Sequence, residues 1–325
     1  MVTALQSPYS PARILVVGLG RTGLSCAKYL ARQGAQVAIT DSREQPPGLE
    51  ALREALPDVG LFLGGFAAEA FERADLLVVS PGVALTLPEI RQARQRGVAV
   101  VGDVELFARA VTAPVAAITG SNGKSTVTTL VGQMARVAGL RAAVGGNLGE
   151  PVLELLEKPA ELFVVELSSF QLETTESLAP AVAAVLNISA DHMDRYPSLE
   201  AYAETKAGVY RLAEVGVYNL DDERVMAMPR AAEALFFTLG EPAGEEAFGV
   251  RRVAGESWLC RGRRRLMPAS ELRMPGRHNL ANALAALAMG SALALPEEAM
   301  CEVLRTFPGL PHRTEFVANR HELAD

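Results

Sequence analysis

Thr119-Gly120-Ser121-Asn122-Gly123-Lys124-Ser125-Thr126 decides the fold. An apolar run, Val115 to Ile118, precedes it, and a helical pattern, Val127 to Ala138, follows. A strand, a glycine-rich turn and Lys-Ser/Thr at a helix start aim backbone N–H groups and the helix N-terminus at phosphates. In such a loop Lys124 reaches the terminal phosphates and the Ser125 hydroxyl holds Mg²⁺. The spacing is shorter than the common G-x-x-x-x-G-K-[ST], because Ile118 stands where the first glycine falls. The plain alternative is a flexible glycine turn with a helix-capping Ser or Asn. A strand before and a helix after favour an ATP site built on Gly120, Ser121, Asn122, Gly123, Lys124, Ser125 and Thr126.

The rest of the chain is consistent with an α/β enzyme. Its 325 residues suffice for two or three domains. With 49% hydrophobic and 21% charged residues, disordered and fibrous classes are excluded. A net charge of -7 argues against a general nucleic-acid binder. No apolar stretch approaches the length of a membrane span, and Met1 to Arg13 lacks the layout of a signal peptide. Three cysteines, Cys26, Cys260 and Cys301, are too few and too scattered for a disulfide framework or a zinc site. A cytoplasmic location is expected.

In the first hundred residues short apolar runs (Ile14 to Val17, Gln36 to Thr40, Asp75 to Ser80, Val98 to Val101) alternate with helical patterns such as Leu24 to Arg32. That alternation predicts a parallel, doubly wound sheet. Its first turn is Gly18-Leu19-Gly20-Arg21-Thr22-Gly23, with Asp41 about twenty residues on. Alone, this is a dinucleotide fingerprint, so an NAD- or FAD-dependent oxidoreductase stays open. The same turn receives any diphosphate attached to a sugar, and redox chemistry would leave the second nucleotide loop idle. At Ser80-Pro81-Gly82-Val83 a strand-end turn either lets backbone approach a ligand or simply needs a glycine.

From Gly102 the pattern restarts. A short helix, Val104 to Ala110, leads to the phosphate-loop strand, and further runs are Ala142 to Gly145, Leu162 to Leu167, Val182 to Ile188 and Val215 to Asn219. After Leu235 come shorter β-like pieces, Phe236 to Leu239, Phe248 to Val253 and Ser257 to Cys260. Arg261-Gly262-Arg263-Arg264-Arg265 reads as a solvated hairpin turn, ahead of a nucleic-acid patch. Helices over Asn279 to Leu293 and Glu297 to Thr306 close the region. The domains expected are 1–102, 103–309 and a stub at 310–325.

Ligands of an open parallel sheet collect at the carboxyl ends of its strands. Those ends carry Gly145-Gly146-Asn147, Glu166-Leu167-Ser168-Ser169 and Asn187 through Asp194. Glu166 ends an apolar run, where a carboxylate is costly unless paired or bound to a metal, and Mg²⁺ beside a triphosphate is the simplest partner. Asp191 and His192 read either as a cap and a core histidine or as functional groups. By periodicity Lys206 is a solvated lysine on the helix Leu199 to Tyr210.

Together these residues resemble the Mur ligases, the ATP-dependent amide ligases of peptidoglycan precursor synthesis. The matching strings are G-L-G-R-T-G at 18–23, S-P-G-V-A at 80–84, G-D-V-E-L-F at 102–107 and I-T-G-S-N-G-K-S-T-V-T-T-L-V-G at 118–132. They continue with G-G-N-L-G at 145–149, V-E-L-S-S-F-Q-L-E at 165–173, D-H-M-D-R-Y-P at 191–197, G-R-H-N-L-A-N-A-L-A-A at 276–286 and G-L-P-H-R at 309–313. The resemblance implies a monomer that joins D-glutamate to UDP-N-acetylmuramoyl-L-alanine through an acyl phosphate, with no redox cofactor and no nucleic-acid or membrane partner. It implies that Gly20, Arg21 and Thr22 meet the UDP diphosphate, that Asp41, Ser42 and Arg43 hold the uracil, and that Gly82 lies by the nucleotide. Asn147 and His192 would contact the muramoyl-alanine part. Lys124 and Ser125 would serve ATP, with Asn279 and Asn282 near its base and Arg313 beside its phosphates. Two Mg²⁺ ions would be held by Ser125, Glu166, His192 and Lys206, the last as a carbamate made with CO₂.

The family also carries a third, C-terminal Rossmann-like domain, which binds the incoming amino acid and closes over ATP. The sequence stops at Asp325, and the expectation is that this domain is missing. Part of the ATP site and the D-glutamate site would go with it, and a binding-only fragment without turnover stands as the alternative.

Overall fold

The computed structural model of the chain describes Tyr9 and residues 11–310. These form two compact units. The first takes the chain up to Val111 together with Glu150–Lys158 and Ser169–Leu178; the second takes Thr112–Gly149, Pro159–Ser168 and the chain from Ala179 on. The restart read at Gly102 falls on the residue that caps the helix Asp103–Ala110, which belongs to the first unit.

In the first unit, β1 (Arg13–Val17), β2 (Gln36–Asp41), β3 (Gly60–Leu63), β4 (Leu76–Val79) and β5 (Ala99–Val101) form a parallel sheet in the order β3-β2-β1-β4-β5. The central strands, Arg-Ile-Leu-Val-Val and Leu-Leu-Val-Val, are near-continuous apolar runs, as strands covered on both faces must be. Helices α1 (Arg21–Arg32), α2 (Leu49–Ala55), α3 (Ala68–Arg73), α4 (Pro88–Gln95) and α5 (Asp103–Ala110) belong to this unit. One face of the sheet packs Leu15, Val17, Leu77 and Val79 against Phe71, Ile90 and Ala93.

Two later segments, carrying α7 (Val152–Leu155) and α8 (Ser169–Leu172), join the same unit. Polar bonds tie the second of them to α5. Gln171 Nε2 donates to buried Asp103 Oδ2 at 2.9 Å, and Glu105 Oε2 accepts the N–H groups of Glu176 and Ser177 at 2.8 and 2.9 Å.

The second unit is built on a nine-stranded sheet. Its strands are β6 (Val115–Thr119), β7 (Ala142–Gly146), β8 (Leu162–Glu166), β9 (Val182–Val185), β10 (Val215–Asn219), β11 (Glu233–Phe237), β12 (Ala247–Val253), β13 (Glu256–Arg261) and β14 (Arg264–Pro268). The order is β14-β13-β12-β11-β10-β9-β6-β8-β7. Pairing is parallel from β7 across to β12, and β12-β13-β14 is an antiparallel meander. The β-like pieces after Leu235 thus extend the main sheet. Strand β6 is the switch point: the chain leaves it for β7 and β8 on one side and returns to β9 on the other.

Helices α6 (Lys124–Val137), α9 (Leu199–Ala207), α10 (Glu223–Met226), α11 (Arg277–Ala292) and α12 (Glu297–Thr306) complete this unit. Helix α11 is buried from Ala283 through Gly290, and its small side chains fill a core with Leu130, Val131 and Met134 of α6. Ser198 caps α9 by accepting the Ala201 N–H at 3.2 Å, which fixes where that helix starts.

The arginine-rich run is the hairpin turn between β13 and β14, with Gly262 at φ 53°. Arg261 donates to Glu245 O and Ser291 Oγ, Arg264 pairs with Glu297, and Arg265 lies over the Trp258 ring. Those guanidinium groups serve the fold.

Candidate functional site

A cavity of about 700 Å³ opens at the carboxyl ends of the second unit's parallel strands. Ser121 to Thr126 line it after β6, with Asn147 after β7 and Glu166 ending β8. Leu186 and Asn187 follow β9, Asn219 ends β10 and Phe237 ends β11, while His278, Asn279, Asn282 and Ala285 come from α11. Sequence reasoning collected Asn147, Glu166, Asn279 and Asn282 from distant stretches, and all four line the cavity beside the loop.

Backbone geometry makes the loop. Gly120 and Gly123 have φ of 146° and 85°, conformations that side chains disfavour. A Cβ on Gly123 would stand 2.3 Å from Asn282 Oδ1. The loop is latched to the strand end beside it, where Asn187 Oδ1 accepts the Asn122 N–H at 2.8 Å and Asn187 Nδ2 donates to Asn122 O at 3.0 Å. Ser121 Oγ donates to Ser189 O and accepts the Ser189 N–H. Lys124, at the start of α6, turns its ammonium back onto Gly120 O and Ser121 O, both at 3.0 Å. Sequence reasoning missed the latch; the strand-end position of Asn187 was its only signal.

Glu166 is 2% exposed. Asn147 Nδ2 donates to its Oε1 at 2.6 Å, whereas Oε2 is buried without a hydrogen-bond partner. An orphaned carboxylate oxygen in a cavity lined by Ser125 and Lys124 suits a small hard cation shared with phosphate oxygens. Among the described residues no three His, Cys, Asp or Glu side chains cluster as a metal cage.

Lys206 overturns its periodicity reading. It is 1% exposed, with Nζ donating to Thr119 Oγ1 at 3.3 Å and lying 4.7 Å from the centre of the Tyr202 ring. Burial, and then the Lys124 charge, push its pKa down to about 7 against the opposing pull of Asp191 and Glu166. A substantial fraction is therefore free amine at neutral pH. His192 sits on the exposed stretch after β9 at φ 53°, with Nε2 3.6 Å from Asp191 Oδ2, and it does not line the cavity. Arg313 lies outside the described residues.

In the first unit the glycine turn follows β1, Asp41 ends β2 and Gly82 follows β4, all at the carboxyl ends of adjacent strands of one sheet. A Cβ on Gly23 would stand 1.9 Å from Gly18 O, so α1 packs onto the turn only through glycine. Gly20 caps α1, with Arg21 and Thr22 in its first turn. Asp41 Oδ2 accepts the Leu19 N–H and Arg43 Nη2, both at 2.7 Å; Oδ1 accepts the Arg43 N–H at 2.9 Å and Nε at 2.8 Å. Burial works against ionisation of Asp41, but these bonds outweigh it and hold its pKa at about 2. Each oxygen already takes two hydrogen bonds, so the carboxylate has no ready acceptor for ribose hydroxyls.

Comparison with known proteins accounts for both nucleotide motifs together. A model of the Mur ligase MurD-like N-terminal domain matches residues 12–102, and one of the Mur ligase middle domain matches residues 118–290. The chain belongs to the Mur ligase family. This Mur ligase is 56% identical over 319 residues to the UDP-N-acetylmuramoylalanine–D-glutamate ligase of Nitrosococcus oceani, covering 97% of this chain and 70% of that one. It is 55% identical to the enzyme of that name from Methylococcus capsulatus, covering 95% of this chain and 67% of the other.

Among solved structures, a UDP-N-acetylmuramate:L-alanyl-γ-D-glutamyl-meso-diaminopimelate ligase from Neisseria meningitidis superposes with a TM-score of 0.64 at 18% identity, covering 93% of this chain and 99% of that one. A UDP-N-acetylmuramate–alanine ligase from Thermotoga maritima gives 0.58 at 21% identity, covering 96% and 72%. These likenesses establish the Mur ligase fold. Among the described residues no helix is long and apolar enough to cross a membrane.

Proposed function

We propose that this chain is an ATP-dependent ligase that joins D-glutamate to UDP-N-acetylmuramoyl-L-alanine, working as a cytoplasmic monomer. The observation that carries the reading is the single cavity holding the phosphate loop and the half-satisfied Glu166 carboxylate. Identities of 56% and 55% to relatives bearing that enzyme's name support the substrate assignment.

ATP lies with its phosphates on the loop N–H groups and the start of α6, and with its base toward Asn279 and Asn282. Lys124 leaves its two loop carbonyls to reach the terminal phosphates. Ser125 and Glu166 would hold Mg²⁺, and Lys206 and His192 would serve a second ion. The metal, when bound, neutralises phosphate charge. The UDP part of the other substrate lies over the glycine turn of the first unit, its diphosphate at the backbone of Gly20, Arg21 and Thr22. Arg43 and Ser42 meet the uracil, Asp41 holds Arg43 in position, and Gly82 leaves room beside the nucleotide. Asn147 and His192 address the muramoyl-alanine end.

A free carboxylate resists attack by an amine because oxide would have to leave. The substrate's alanine carboxylate therefore attacks the γ-phosphorus of ATP, giving an acyl phosphate and ADP. The amine of D-glutamate then attacks the acyl carbon, the amide forms, and phosphate departs with the bonding pair. Lys124 stabilises charge on the transferred phosphoryl group. At Lys206 the neutral free amine would add CO₂ and release one proton, leaving an anion suited to the metal where the protonated lysine would be a cation.

The test is incubation with ATP, Mg²⁺, UDP-N-acetylmuramoyl-L-alanine and D-glutamate, followed by mass spectrometry of the UDP-linked product. A product heavier by one glutamyl residue, with one ADP per product, is expected. ADP formed at the same rate without the UDP-linked substrate, and no such product, would overturn the assignment.

A further inference from the structure

We propose that Thr119 is a positioning residue for Lys206: its hydroxyl accepts the one hydrogen that the Lys206 nitrogen keeps after adding CO₂. The inference rests on the carbamate reading of Lys206 for its biological electrophile, although the hydroxyl geometry stands by itself.

Thr119 ends β6, the switch-point strand, and is 0% exposed. A hydroxyl has one hydrogen to give and two lone pairs to offer. Thr119 gives its hydrogen to Leu167 O at 2.8 Å, so only lone pairs remain toward Lys206 Nζ at 3.3 Å. Among the described residues this hydroxyl is the sole hydrogen-bond partner of Lys206 Nζ. The face of the Tyr202 ring lies against the same nitrogen. That face is electron-rich and unsuited to an anion.

The chemistry of addition then uses the arrangement. The amine lone pair attacks the carbon of CO₂, an N–C bond forms, and one N–H proton leaves to solvent. The product nitrogen carries a single hydrogen, which in a buried site needs an acceptor. Thr119 Oγ1 is that acceptor, and it cannot donate to the new carboxylate because its hydrogen is held by Leu167 O. The carboxylate is thereby turned away from both Thr119 and the Tyr202 face.

The test compares the full chain with Thr119→Val, which keeps the shape but not the hydroxyl, and Thr119→Ser, which keeps the hydroxyl. Two electrophiles are used. ¹³C-bicarbonate reports the carbamate by NMR. Cyanate converts the amine to a urea, leaving the same single N–H, and is read on Lys206 by peptide mass spectrometry, with exposed Lys158 as the internal reference. Loss of one buried hydrogen bond corresponds to about a fivefold to tenfold drop in both adducts at Lys206 in Thr119→Val. Thr119→Ser should match the parent, and Lys158 should be unaffected throughout. Equal Lys206 urea in Thr119→Val and the parent would overturn the proposal. So would an equal loss in Thr119→Ser, which would trace the effect to the methyl group. A cyanate effect with no ¹³C signal in the parent would uphold the acceptor role and remove the carbamate reading instead.

Discussion

Asn147 Nδ2 stands 2.6 Å from Glu166 Oε1, while the other oxygen of that buried carboxylate has no partner. One half of the side chain is fixed by the fold and the other half is left for a ligand. Glu166→Gln should therefore weaken Mg²⁺-supported ATP binding at least tenfold without lowering the melting temperature of the ligand-free chain. Calorimetric titration with and without Mg²⁺ checks this; unchanged Mg²⁺ dependence would remove Glu166 from the metal site.

Gly123 is a second place where the fold yields to function. Its φ of 85° and the 2.3 Å separation that a Cβ would have from Asn282 Oδ1 make Gly123→Ala costly. A loss of about 2 kcal/mol is expected from the left-handed backbone and the clash together. Adding Asn282→Ala should recover part of it, because the clash is with that side chain. Urea melts of the single and double variants measure the coupling.

The first unit should show a stability term from Asp103. Burial, opposed by the Gln171 hydrogen bond, raises its pKa to about 6 from the ordinary 3.8. Between those values the folded chain holds a proton that the unfolded chain has released, so stability falls as pH rises through that window and is flat above it. The drop is about 3 kcal/mol. Asp103→Asn should flatten the pH profile over the window; an unchanged profile would contradict the assignment.

Legibility followed the range of the forces involved. The phosphate loop was readable because strand, glycines, lysine and helix start are adjacent in sequence, and its carboxylate was readable as a charge ending an apolar run. Periodicity misleads at Lys206 because its helix neighbours Glu200 and Glu204 are exposed, while Lys206 is buried with its Nζ bonded to Thr119 on a distant strand. Strand β3, Gly-Leu-Phe-Leu, is a four-residue edge strand opening on glycine, too short to show a period. Strand β14 was hidden in the arginine cluster, whose charges are satisfied by Glu297 and Trp258, far away in the chain or across the hairpin. Residues 169–178 are tied to the first unit by Gln171 bonding Asp103 and by Glu105 accepting from Glu176 and Ser177, pairings 68 to 72 residues apart that no local pattern announces.

The central claim is that the ATP phosphates and the UDP group are held by separate residues, the former by the loop around Lys124 and the latter by the glycine turn of the first unit. Calorimetric titration of the parent chain and Lys124→Ala with ATP–Mg²⁺ and with UDP-N-acetylmuramoyl-L-alanine tests it most directly. Lys124→Ala should lose ATP binding at least tenfold and keep its affinity for the UDP-linked substrate. Equal loss of both ligands would contradict the account.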